Sequence, residues 1–75
     1  MRVAVVTFKT LTYAQKGKRL LSKNGISPRL IKLREEWDGG CAYGLEFDEK
    51  HYLTVISLLK SENIAYGTVK NEGYK

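Results

Sequence analysis

The chain has 75 residues, the size of one small domain. With 43% hydrophobic and 28% charged residues and a single proline, it is neither disordered nor low-complexity. A net charge of +5 permits contact with nucleic acid or another polyanion without demanding it, and one cysteine excludes an internal disulfide or a thiolate-based zinc site. The opening "MRVAVVTFKT" has no signal-peptide h-region, and no stretch approaches the ~18 apolar residues of a membrane span. The expected compartment is the cytoplasm, with no membrane partner.

Residues 2–8, "RVAVVTF", are β-branched and almost continuously apolar, the pattern of a central strand. "TLTYAQKGKRLLSKNG" predicts a helix, with Thr12 and Gln15 as a capping box and Asn24-Gly25 as its stop. Ala14, Gly17, Leu20 and Leu21 fall on its inner face. Lys16, Arg19 and Lys23 fall outside, a basic stripe that reads most simply as a solvated surface. "SPRLIKL" predicts a second strand, opened by Pro28 and therefore suited to an edge. Asp38-Gly39-Gly40 supplies a turn, and "YGLEF" a third strand, so that the two strands make a hairpin with a long loop. From Asp48, a good N-cap, "DEKHYLTVISLLKSEN" spaces Tyr52, Val55, Ile56 and Leu59 as the inner stripe of a second helix. "IAYGTVK" predicts a fourth strand, and residues 71–75 read as a frayed tail.

The order β-α-β-β-α-β, with right-handed crossovers and no linker, predicts one α+β domain of ferredoxin-like type over residues 1–75. It has a four-stranded antiparallel sheet in the order 4-1-3-2, with both helices on one face. Tyr43, Leu45 and Phe47 should lie under the helices and Gly44 and Glu46 on the open face. One of the alternating sets Ala4, Val6, Phe8 and Val3, Val5, Thr7 must miss the helices. That leaves an apolar open face, which predicts a homodimer or a docked partner there.

The topology also sets the turn before strand 3 at the end of the sheet where helix 1 begins. Cys41 is expected there, at least partly exposed, beside the backbone N–H groups around Leu11, Thr12, Tyr13 and Ala14, whose partial positive charge stabilises a thiolate. Lys9 and Arg34 support that effect, Gly39 and Gly40 supply the turn, and Glu35, Glu36 and Asp38 oppose it. Trp37, in the same loop, is either a local hydrophobic lid or an anchor for a partner. His51 belongs at the opposite end of the sheet, so a Cys41–His51 dyad of the protease type is not expected. An inert apolar filler and a reactive thiol both remain open for Cys41.

Other chemistry is poorly served by these residues. "AYGLEF" superficially matches the third strand of an RNA-recognition motif, but Glu46 stands where that motif needs open-face aromatic and basic groups, so nucleic acid is not the expected partner. "VTFKTLT" lacks the Cys-x-x-Cys of heavy-metal-binding domains. With no phosphate loop, metal cluster or paired catalytic carboxylates, the residues do not point to an autonomous enzyme.

From residue 3 to about 69 the run "VTF", a Thr-rich helix entry ending in "LL", then "GI", then "RLI", then a cysteine loop before a small-and-apolar strand, resembles a family of small bacterial selenium/sulfur carrier-like domains. Where those relatives usually carry Cys-Gly, this chain has Cys41-Ala42. The resemblance implies that Cys41 is a carrier thiol holding covalent sulfur or selenium as a persulfide or selenosulfide; the residues themselves give no sign of another cofactor or a metal. Its partners would be protein donors and acceptors of the chalcogen. The alternative is a protein-binding or assembly module whose cysteine is inert; a weak RNA-binding domain comes third.

Overall fold

The structure is a computed structural model and describes residues 2–33 and 40–71. The β-branched run at the N-terminus favours extended backbone, and Val3–Phe8 forms strand β1. Helix α1 follows as Leu11–Lys23, strand β2 as Arg29–Lys32 and strand β3 as Tyr43–Asp48. A 3₁₀ turn, Glu49–His51, then leads into helix α2, Tyr52–Ser61, and strand β4, Val69–Asn71. All strand pairs are antiparallel, and the sheet order is β2-β3-β1-β4. The α+β class, the antiparallel sheet, the two helices and the edge position of β2 agree with the sequence reading.

The caps explain where the helices begin and end. Thr10, in extended conformation, caps α1 by accepting the Tyr13 N–H on Oγ1 at 3.2 Å. The expected Thr12–Gln15 box is therefore displaced: a capping hydroxyl must sit on the last extended residue, and Thr12 already lies within the first turn. Both helices end in a Schellman motif. After α1, Ile26 N–H reaches the Leu21 carbonyl and Gly25 N–H the Ser22 carbonyl; after α2, Ile64 bonds Leu59 and Asn63 bonds Lys60 in the same pattern. Gly25 at φ +79° and Asn63 at φ +56° make the left-handed step, and the isoleucine after each is buried. At the start of α2, Asp48 accepts the Lys50 N–H at 3.1 Å and caps the 3₁₀ turn rather than the helix itself.

One face of the sheet carries the core. Ala4, Val6 and Phe8 of β1 and Leu45 and Phe47 of β3 pack against Ala14 and Leu21 of α1 and Val55 and Leu59 of α2. Both helices thus cover the same face, and Tyr43 joins the cluster partly buried, as strand alternation requires. On α2 the inner stripe is narrower than the sequence suggests. Val55 and Leu59 are fully buried and Tyr52 packs on the core half-buried, while Ile56 reaches only intermediate burial at the border of the stripe.

The fourth strand is shorter than the expected 64–70. Ile64 turns into the core, and the next segment is held by a threonine. Thr7 accepts Gly67 N–H on its carbonyl at 2.7 Å, donates its own N–H to the Thr68 carbonyl at 2.9 Å, and takes the Thr68 N–H on Oγ1 at 2.8 Å. A side-chain oxygen thus takes a bond the ladder would use, and regular pairing starts at Val69, opposite Val6. Asn71, expected to begin the frayed tail, belongs to β4; residues 72–75 lie outside the described residues.

Two glycines of α1 and its cap are constrained for different reasons. A Cβ on Gly17 would meet Phe8 Cζ at 3.0 Å and Leu45 Cδ1 at 3.2 Å, and both partners are fully buried. Gly17→Ala is expected to cost about 1 kcal/mol net, overpacking exceeding the gain in helix propensity. A Cβ on Gly25 would meet nothing within 4 Å, so Gly25→Ala isolates the left-handed backbone cost of about 1 kcal/mol, and Gly25→Asn loses less. Chemical denaturation midpoints check both; stabilisation by Gly17→Ala would show that the Phe8 ring yields.

Candidate functional site

Cys41 lies between a turn residue and a residue fixed on both sides. Gly40 has φ +90°, which any side chain would strain. Ala42 donates its N–H to the Phe8 carbonyl at 3.1 Å and accepts the Leu33 N–H at 2.8 Å, extending the pairing of β3 with both neighbours. Phe8 pairs with Tyr43 and is followed within two residues by Thr10, the cap of α1. Cys41 and the start of α1 therefore occupy the same end of the sheet, as the topology predicts.

The thiol is nevertheless inside. Cys41 is 4% exposed, against the expectation of partial exposure. β3 is an interior strand, and its entry residue Ala42 is bonded to Phe8 of β1 on one side and to Leu33, just past β2, on the other, so the residue before it starts from the middle of the sheet end, not from a loop tip. Gly40, one residue earlier, is exposed. Arg34, Glu35, Glu36, Trp37, Asp38 and Gly39, which sequence reasoning placed around the thiol, lie outside the described residues.

The N-terminus of α1 offers less than expected. Tyr13 N–H goes to Thr10 Oγ1 and Ala14 N–H to the Thr10 carbonyl at 3.1 Å. Two of the four N–H groups from Leu11 to Ala14 are thus taken up by Thr10. Ala14 is fully buried in the core, Leu11, Thr12 and Tyr13 are exposed, and so is Lys9.

The remaining candidates separate by distance and by face. Cys41 precedes β3 and His51 follows it; at about 3.3 Å per residue the strand holds them on the order of 20 Å apart. Tyr43, Leu45 and Phe47 point to the helices, while Glu46, on the other face, pairs with Arg29 at 3.4 Å. The apolar open face expected to recruit a second copy or a partner is closed within the chain. Val5 is 1% exposed and Thr7 fully buried. Gly44 has no side chain, and Val5, Ile31 and Leu33 converge over it, with Val5 Cγ1 at 3.0 Å from where a Cβ would stand. Among the described residues no three of His, Cys, Asp and Glu are grouped to hold a metal, and no helix is long and apolar enough to cross a membrane.

Residues 4–70 match the model of a protein family described as "Putative Se/S carrier protein-like". No curated protein and no solved structure matches the chain.

Burial of the thiol has a direct consequence. Native Cys41 is expected to react with a neutral alkylating reagent at least about tenfold more slowly than in denaturant, because the reagent must wait for local opening. Cys41→Ser should lose about 1–3 kcal/mol by burying a hydroxyl, more than Cys41→Ala loses. Equal labelling rates in native and denatured protein would show the site open.

Proposed function

We infer from one premise, that the chain belongs to the Se/S carrier-like family, that Cys41 is a carrier thiol in a ferredoxin-like domain acting in the cytoplasm. The observation that carries the reading is that the family match spans the cysteine and that Cys41 is the one sulfur nucleophile in the sequence. A thiolate at Cys41 attacks the outer sulfur of a donor persulfide. The donor S–S bond breaks, its inner sulfur leaves as a thiolate, and a new Sγ–S bond leaves Cys41 as a persulfide. Delivery is the same exchange in reverse sense, with an acceptor thiolate attacking the outer sulfur. Selenium follows the same electron count as a selenosulfide. No oxidant is consumed in either step, so the protein holds and passes the chalcogen between a donor and an acceptor protein and turns over no substrate of its own.

The turn at Gly40, Cys41 and the start of α1 lie at one end of the sheet, which supports the reading. Burial of Cys41 favours a second reading, a protein-binding module whose cysteine is an apolar filler. Intact mass of the protein purified from cells without reductant separates the two. A carrier shows a fraction heavier by one sulfur or one selenium atom, lost on treatment with reductant and absent from Cys41→Ala. A single unmodified mass, even after incubation with a persulfide donor, would establish the inert reading.

A further inference from the structure

Helix α1 carries Lys16, Lys18, Arg19 and Lys23 and not one acidic residue. All four cations are exposed, and among the described residues the ion pairs are Arg2–Glu49 and Arg29–Glu46, elsewhere on the molecule. Sequence alone makes this stripe a solvated surface. The structure adds a second wall: the Schellman turn that ends α2 packs alongside, and between them runs a groove of about 290 Å³. Its floor is Leu20 and Ile64, its α1 wall is Lys16, Arg19 and Lys23, and Glu62 stands on the opposite wall. Tyr13 lines the groove as well, and Lys16 Nζ lies over its ring, 5.8 Å from the centre.

We propose that this groove docks an acidic segment of a partner protein, one that presents two carboxylates to α1 and an apolar side chain to Leu20 and Ile64. Lys16 and Lys23 are seven residues apart on the helix, about 10 Å. A peptide in polyproline II conformation rises about 9 Å over three residues and returns residues i and i+3 to the same side, so carboxylates at i and i+3 meet the two ammonium groups with an apolar residue between them. The Glu62 wall decides the class of occupant. A protein segment can turn carboxylates to one wall and a neutral or basic group to the other. A nucleic-acid backbone is charged along its whole length and meets Glu62 as well, and Tyr13, lying under Lys16, is not free as a platform for base stacking. The inference rests on the charge and shape of α1 and is independent of what Cys41 does.

The test uses the full chain and a fluorescein-labelled peptide repeating glutamate-leucine-serine, followed by fluorescence anisotropy. Lys16→Glu with Lys23→Glu is expected to weaken binding by about tenfold or more. Lys32→Glu with Lys50→Glu, the same change in net charge away from the groove, should alter it by less than about threefold. Replacing the leucines of the peptide by serine should weaken binding to the unaltered protein, with no variant to misfold. Equal loss from both double reversals, or equal binding of the serine peptide, would reduce the effect to net charge and overturn the proposal. So would tighter binding of single-stranded RNA, or of vesicles of anionic lipid, that is lost on reversing Lys16 and Lys23.

Discussion

Helix α1 can lie as close to the sheet as it does because residue 17 has no side chain. Phe8 and Leu45, fully buried on adjacent central strands, occupy the space a Cβ would need. That approach fixes the rest. It seats Ala14 and Leu21 in the core with Phe8, and helical geometry then turns Lys16, Arg19 and Lys23 away from the sheet. The first turn of α1 begins three residues after β1 ends, at the end of the sheet where Ala42 binds the Phe8 carbonyl and Cys41 is buried. Burial of a side chain such as Phe8 or Leu45 stabilises by about 1.5–3 kcal/mol. The glycine gives up about 1 kcal/mol of helix propensity to permit two such burials.

Much of this was legible in the residues. Alternation assigns Ala4, Val6 and Phe8, with Leu45 and Phe47, to the face the helices cover, the spacing of Ala14, Gly17 and Leu21 gives the buried side of α1, and the near-continuous apolar run of "VAVVTF" matches a strand buried on both faces. The first helix stop is legible too, in Asn24-Gly25; Asn63 takes the same left-handed position after the second helix, and in both cases the isoleucine that follows completes the motif. What sequence missed were choices between nearby residues of the same type. Thr10 and Thr12 are both competent caps, and only the backbone conformation decides between them. The short β4 depends on where the Thr7 hydroxyl finds its partner, sixty-one residues along the chain. No local pattern contains that information.

The site was legible in position and not in exposure. Reading "DGGCAY" as a turn followed by a strand puts Cys41 at the correct end of the sheet, but a turn composition suggests solvent. Whether a residue beside a turn is exposed depends on how many strands flank the one it enters. Here there are two, and Ala42 is bonded to Phe8 at the end of one and to Leu33 just past the other. The open face failed for a related reason. Val5 in isolation is an apolar residue without a helix above it, yet Gly44 leaves room for Val5, Ile31 and Leu33 to close over one another. A glycine on a strand reads as a small residue on a surface; here it is the space that a second, minor apolar layer fills.

Burial does not by itself decide against a carrier. A persulfide loses its outer sulfur to any thiol that reaches it, so a site closed in the resting state protects cargo between donor and acceptor, provided that it opens on demand. If opening costs about 4 kcal/mol, roughly one molecule in a thousand is open at any moment, enough for exchange and too few for loss to small thiols to dominate. A partner lowers that cost only if it binds the open form more tightly than the closed one. The basic groove starts at Tyr13, in the first turn of α1, and so begins at the end of the sheet where Cys41 lies. A partner held along α1 would place its own thiol or persulfide against that end and could spend part of its docking energy on opening it. An inert cysteine has no use for such coupling, and a protein whose partner binding leaves Cys41 labelling unchanged would have the groove and the thiol as separate features of one fold.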